Sequence, residues 1–456
     1  MSFVHYYRAG SGNMLAINAP NALFTSVSNP SPAAGVGLGA TTGFQRLSAG
    51  YPTGLATTFS AGTDNIDYIP SNTKDSYVES YFLSVQKQLA KNVLFDIAYV
   101  GNHGVHLQGF VNANQGNPLL PQTTLNGKPA WTRPYPNWGG YLLNNSTANP
   151  TYLNGDITEA LNGFKSHYHS LQARYEQRFV AGLTLLDSFT WGHAQDNASS
   201  TLEANTPAPQ DANNLRGDYG QSDYNLPIAN VTSFVYDLPY GKGKHYGGNS
   251  NSVQNTFLGG WQVGGVITIQ GGTPFNLTTT PSATNQVSPQ LSQSWRGQNI
   301  YRPNLLPGAH YTQGKVKALS GGVPNGYIQY VNLASLTLPA TYSSYTNSTT
   351  YTLSSPFGSL PKNFGRTMPF YEGDIDINKK FSAMNDRIKI EFRSELYNIT
   401  NHTNLYLPGG SGGSTATGTT GSTTNFGPQP VTGGSGGTIT GTFEPRIVQF
   451  GLKIIY

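Results

Sequence analysis

Apolar and polar residues alternate with a period of two over several stretches of this chain. In residues 446–456, Val448, Phe450, Leu452, Ile454 and Tyr456 are apolar, and Gln449, Gly451 and Lys453 fall between them. Ile447 and Ile455 break the rule. A period of two predicts a strand with one apolar and one wetter face. In residues 81–89, Leu83, Val85 and Leu89 oppose Ser84, Gln86 and Gln88. After the turn Ala90-Lys91-Asn92, residues 93–100 set Phe95, Ile97 and Tyr99 against Asp96 and Ala98. In residues 168–179, Leu171, Ala173, Tyr175 and Phe179 alternate with Ser170, Gln172, Arg174, Glu176 and Arg178. Beyond Val180-Ala181-Gly182, the apolar set is Leu183, Leu185, Phe189 and Trp191. A third pair, 230–238 and 261–270, is joined by a longer, basic connection containing Gly241-Lys242-Gly243-Lys244. The fourth pair is 371–381 and 387–399, where Glu372, Asp374 and Asp376 lie opposite Lys389, Glu391, Arg393 and Glu395.

The connections are sorted by length. Short turns alternate with long polar stretches that run to about residue 166, to about 228, from 271 to about 370, and from about 406 to 440. One apolar face alone also suits a soluble antiparallel sheet. Sorted loops distinguish the two cases, because a transmembrane barrel keeps short turns on its periplasmic side and long loops outside. The pattern therefore predicts an all-β, antiparallel transmembrane barrel over 76–456, after a loop-rich segment 1–75. About nine strands are visible where a bacterial single-chain barrel needs an even number. Residues 2–8 are the candidate for a tenth.

Composition agrees. Charged residues are 11% of the chain, against a typical quarter. Mean hydropathy is −0.36, and no run reaches the ~20 apolar residues of a membrane helix. Gly (54) and Tyr (28), with Ser, Thr and Asn, replace the charge, which suits strands and hydrated loops. A net charge of +4 is too weak to imply a nucleic-acid partner. With no cysteine, disulfides and thiolate metal sites are excluded. The N-terminus lacks the basic and apolar regions of a signal peptide, so the expectation is a mature chain or the tail of a longer gene.

Candidate chemistry is sparse. His167-x-His169 and His103-x-x-His106 could pair imidazoles, but neither has a third ligand placed by sequence. The alternating acids Glu372, Asp374 and Asp376 read better as a charge ladder with Lys389, Arg393 and Glu395 on a hydrated inner wall than as catalytic carboxylates. Arg174, Glu176, Arg178 and Glu391 join that wall. Gly241-Lys242-Gly243-Lys244 lacks phosphate-loop spacing. Tyr236, Tyr240 and Trp261 read as an aromatic girdle at the periplasmic interface. Asp187 falls on the apolar register, either through a register slip or facing a polar group of the next strand. Lys87 shares that face near a strand end, where its stem can snorkel. No cofactor, metal or enzymatic activity is expected.

Several strings carry a family resemblance. They include Ser84-Val85-Gln86-Lys87-Gln88-Leu89, residues 97–107, residues 171–179, Phe189-Thr190-Trp191-Gly192-His193, Leu238-Pro239-Tyr240-Gly241-Lys242, Leu258-Gly259-Gly260-Trp261-Gln262, residues 392–402 and the terminal strand. Together and in this order they resemble the TonB-dependent receptors of the large Oar-like type, from about residue 75 to 456. Gln449, Gly451, Ile454 and Tyr456 also resemble the C-terminal assembly signal read by the barrel assembly machinery. The resemblance implies a 22-stranded outer-membrane barrel, seated in outer-membrane lipid, that takes up a substrate with energy from a TonB complex. The plug and TonB box of such receptors have no counterpart here, so the expectation is a fragment or truncated homologue whose contact with TonB needs those N-terminal parts. The substrate is not readable. The alternative function is a non-transport surface protein whose loops bind glycans, peptides or other cells.

Overall fold

A computed structural model describes residues 66–117, 119–120, 123–125, 128–130, 132–135, 157–197, 199, 209–279, 302–312, 328–337, 357–383, 388–408, 423–426, 437–439 and 441–455. Nine long strands follow one another in sequence order across a single sheet. They are β1 (Tyr77–Ala90), β2 (Val93–Asn112), β3 (Ile157–Val180), β4 (Leu183–Asp196), β5 (Ile228–Asp237), β6 (Trp261–Gln270), β7 (Phe370–Ala383), β8 (Ile388–Tyr397) and β9 (Ile447–Ile455). Every neighbouring pair is antiparallel. Two short strands attach at the long-loop end: Ile66–Tyr68 runs parallel to β3, and Gly220–Gln221 pairs with β4. The candidate strand at residues 2–8 lies outside the described residues.

The strands are longer than the alternation alone suggests. β2 and β3 have 20 and 24 residues, where 9–11 cross a bilayer. Their extra length is at the long-loop end, where polar residues and glycines hide the period. There Phe110, Val111, Ile157, Ala160 and Phe164 are buried, and Phe110 packs with Ala160 and Ile69.

The short turns are local chemistry. Ala181 and Gly182 both have positive φ, 53° and 84°, as a two-residue type I′ hairpin turn requires. A Cβ on Gly182 would stand 2.9 Å from the Asp237 carbonyl. Asn92 supplies the left-handed residue between β1 and β2. A register shift between Gln177 and Val180 carries Phe179, at φ 48°, out of the simple alternation assigned to it.

Two features depart from the sequence expectation. The β5–β6 connection contains a helix, Ser252–Leu258, with a complete capping box at Asn251. It escapes a hydropathy reading because it is only seven residues long and its start signal is an Asn–Gln pair rather than Ser–Glu. No described helix is long and apolar enough to cross a membrane.

The 271–370 segment also has structure, despite its lack of period. With parts of the β8–β9 loop it builds a core of Phe275, Leu277, Tyr330, Val331, Leu360 and Ile439, flanked by Tyr311, Phe364, Met368 and Leu405. This cap sits at the long-loop end of the sheet. Its strands are short, from two residues in Asn304–Leu305 and Leu336–Thr337 to six in Pro274–Thr279, too short for periodicity to register.

Among the described residues, β1 and β9 each pair with one long strand, β2 and β8 respectively, and not with each other. All fourteen residues of β1 are exposed.

Candidate functional site: a polar sheet face and its loop cap

Register sorts the side chains into two faces. Val85, Ile97, Ala173 and Phe189 stand side by side across β1–β4. Tyr236, Val263, Ile377, Ser394 and Phe450 do so across β5–β9. The opposite face carries Gln86, Asp96, Arg174 and Ser188 in one row, and Val235, Gly264, Asp376, Glu395 and Gln449 in another. Glu372 and Asp374 share this polar face with Asp376, two residues apart each time. Lys389, Glu391, Arg393 and Glu395 do so on β8.

The pairing of these charges differs from the expected ladder. Asp376 stands opposite Glu395, Asn378 opposite Arg393, and Ser382 opposite Lys389. The acids of β7 therefore do not meet the cations of β8, because the β7–β8 register stands two residues away from that match. Cations meet acids elsewhere. Lys380, Glu391 and Lys453 form one cross-strand row. Arg393 Nη2 lies 2.8 Å from Glu391 Oε1 on its own strand. Glu176 holds Arg174 at 2.9 Å and also Arg178, both on β3.

The unmatched acids take neutral donors. Asn378 donates to Asp376, the Tyr397 hydroxyl donates to Glu395 at 3.2 Å, and the Asn398 backbone N–H donates to Asp374 at 2.9 Å. Asp376 folds over Gly264, where a Cβ would collide with its carboxylate. A hollow of about 530 Å³ opens here, lined by Thr184, Ser233, Val266, Asp376, Asn378 and Glu395 among others.

The apolar face has polar exceptions. Asp187 keeps its register, and the next strand satisfies it: Asn230 Nδ2 and Thr232 Oγ1 donate to its Oδ1 at 2.9 and 2.6 Å. Lys379, which sequence reasoning passed over, is 2% exposed. Its position next to Asn378, on the register of Ile375 and Ile377, was the available signal.

Tyr236 and Trp261 lie on the apolar face near the short-turn end. Tyr240 instead belongs to the β5–β6 loop, where it bridges to Tyr246 and covers Gly247. On β9, Gln449 faces Glu395, Gly451 faces Arg393 and Ile454 faces Ile390. Tyr456 lies outside the described residues.

His103 and His167 are cross-strand partners with rings stacked at 4.1 Å, and His169 stacks 6.4 Å from His167. His106 turns away at φ 55° and meets Tyr77 edge-on. Among the described residues, no group of three His, Asp or Glu is placed to hold a metal ion.

The cap carries buried charge. Lys362 Nζ lies 2.5 Å from Asp196 Oδ1 and 3.5 Å from Asp223 Oδ1. Arg302 Nη1 lies 2.5 Å from Asp218 Oδ1. These links join the β4–β5 loop to the segment before β7. Burial pushes the Tyr330 phenol up to about 12 and lowers the Arg366 guanidinium from its ordinary value. Tyr330 donates to the Arg366 carbonyl at 2.6 Å. None of these ion pairs is legible in the sequence, because their members lie in aperiodic loops far apart along the chain.

Residues 3–449 match the family described as the outer membrane beta barrel domain. The chain belongs to that family. As a member it is an outer-membrane protein. No curated protein matches it. Among solved structures it is similar to the outer membrane transporter YddB from Escherichia coli, with a TM-score of 0.36 and 10% identity over 87% of this chain and 34% of that one. The chain thus spans about a third of that transporter's length.

Proposed function

We propose that this chain forms the C-terminal wall of a larger outer-membrane transport barrel, of the 22-stranded TonB-dependent, Oar-like type, that takes up a solute along its polar face. One observation carries the reading. Across the nine strands one face is mainly apolar, with Lys87, Asp187 and Lys379 as exceptions, while the other gathers Arg174, Glu176, Glu372, Asp374, Asp376 and the charges of β8. A bilayer would cover the first face and water the second. The long loops and their cap would then face outward, and the barrel assembly machinery would read the β9 end. Energy from TonB would enter through a plug and TonB box, as the resemblance to that type implies. The chain alone would be a wall segment without energised transport.

The folded cap favours a second reading. A loop assembly with its own core can present a binding surface for glycans, peptides or another cell without transport. Uptake separates the two. With its edges paired in the outer membrane the chain is expected to resist carbonate extraction, and alone it is expected to admit no solute into vesicles. Fused to a family plug and the remaining strands, it is expected to give uptake that a protonophore abolishes. Protonophore-insensitive ligand binding by the chain alone would favour the surface protein. Release by carbonate without detergent would sink both readings.

A further inference from the structure

The β5–β6 connection lies on the sheet's apolar side. Lys379 and Trp261 both belong to the apolar face, and both reach the end of the helix Ser252–Leu258. Lys379 Nζ donates to the carbonyls of Phe257 and Gly259 at 2.9 and 2.5 Å. Trp261 Nε1 donates to the same Phe257 carbonyl at 3.0 Å. The ammonium also lies 5.0 Å from the centre of the Trp261 ring and 4.9 Å from that of Phe381. A lysine placed here satisfies the bare carbonyls of a helix C-terminus. It therefore clamps the helix to the wall rather than below the polar face.

The clamped helix exposes the wrong residues for water. Val253, Phe257 and Leu258 are 67%, 66% and 51% exposed. Val253 and Phe257 are one turn apart on one side. Asn255 points the other way and accepts from the Lys242 backbone N–H at 2.7 Å. That contact holds the loop bearing Lys242 and Lys244, both exposed. Tyr246 of this loop is also exposed, at 59%. Apolar side chains on one side of a short helix, beside cations and at the level of an indole, match a bilayer's headgroup boundary.

We propose that residues 239–260 form a foot that lies on the phospholipid surface at the short-turn rim of the barrel. Val253, Phe257 and Leu258 enter the acyl boundary, while Lys242 and Lys244 meet anionic lipid phosphates. The surface is continuous with the apolar face through the row Trp261, Lys379, Phe392 and Leu452, and this continuity selects lipid over a soluble partner. The foot rests on the membrane-wall reading above.

The absence of cysteine permits a clean test. Single variants Phe257→Cys, Asn249→Cys and Ile267→Cys of the full chain are labelled with an environment-sensitive fluorophore and folded into vesicles of phosphatidylcholine and phosphatidylglycerol. Ile267 is on the apolar face of a central strand and reports the wall itself. The expected result is blue-shifted, lipid-quenched emission at 257 and 267, and aqueous emission at 249. A label in lipid at 267 but in water at 257 would overturn the foot and leave the wall intact. Labels in water at both would overturn the wall, and the foot with it. Energy transfer from position 249 to headgroup-labelled phosphatidylglycerol tests the cations. Lys242→Gln with Lys244→Gln is expected to lose roughly an order of magnitude of preference for anionic lipid. An unchanged preference would remove the lysines from the proposal.

Discussion

Replacing Lys362 with Met tests how the cap is held to the strands. The ammonium lies 2.5 Å from Asp196 Oδ1 and 2.5 Å from Ser199 Oγ, with Asp223 at 3.5 Å. The side chains of Lys362, Asp196 and Asp223 are only 5%, 6% and 14% exposed. Methionine fills similar space and can bury its thioether, so the packing loss is small. What remains is two carboxylates held out of water, Asp196 with only the Ser199 hydroxyl and Asp223 with an Asn363 side-chain N–H. Breaking a buried pair by removing one partner costs about 3–5 kcal/mol, and two stranded acids place this site toward the upper end. Asp196 ends β4 and Lys362 precedes β7, so the loss falls on the cap while the strand ladder stays paired. The assay is denaturant unfolding of the detergent-solubilised full chain, followed by protease cleavage within 197–227 and 357–369 and, separately, by the β-sheet signal. Cleavage should move to lower denaturant while the sheet signal holds. The triple variant Lys362→Met, Asp196→Asn, Asp223→Asn should recover most of the loss, because no bare charge is left. A Lys362→Met cap within about 1 kcal/mol of the parent, a loss typical of exposed pairs, would refute the reasoning.

Phe275 is fully buried in the cap core, so Phe275→Ala should cost the cap about 3–5 kcal/mol, read by the same cleavage assay; an unchanged profile would mean the core does not hold the loops. Asp187→Val should cost about 1–3 kcal/mol by stranding Asn230 and Thr232, whereas Asp187→Val with Asn230→Val and Thr232→Val should unfold at or above the parental urea midpoint. A more stable single variant would show that the triad is not satisfied as described. Tyr330→Phe should delete one phenol titrating near 12 from the ultraviolet alkaline titration. Because the folded pKa is raised, Tyr330 supports the cap fully below pH 10, and that support is lost as pH climbs to about 12; the Phe variant should be flatter over this window.

The strands could be read because burial there has a simple period. Where one face is apolar and the other polar, as in Leu83 to Leu89 or Val448 to Ile454, alternation follows directly from the pleat. The same logic placed Arg174, Glu176, Asp376 and Glu395 on one face. It could not predict their partners, since a two-residue offset at one turn decides whether Asp376 meets Arg393 or Glu395. The cap was hidden for a different reason. Phe275, Tyr330 and Ile439 meet through short strands drawn from distant loops, and the Lys362–Asp196 pair joins residues far apart along the chain. Lys379 fell between these cases: its register was visible, but the carbonyls that receive it belong to a helix too short to announce itself.

The two sheet edges constrain any account of function. Roughly ten residues of a strand lie in the hydrocarbon, and on an edge about half of them point N–H and C=O away from the sheet. That is on the order of ten unpaired groups per edge, each costing several kcal/mol in lipid. Two such edges would cost tens of kcal/mol, against a typical net stability of 5–15 kcal/mol. β1 and β9, unpaired with each other among the described residues, therefore cannot both meet lipid bare. Closure by further strands, by a partner chain or by a bend of this sheet must precede stable residence in the membrane. Only a closed wall gives the polar face an enclosed, hydrated path, so the proposed transport would require edge pairing. Intramolecular cross-linking separates the routes. Paired cysteines along β1 and β9 should remain unlinked by short bis-maleimides if further strands intervene, and a high-yield link within one chain would assign this sheet a small, self-closed barrel instead.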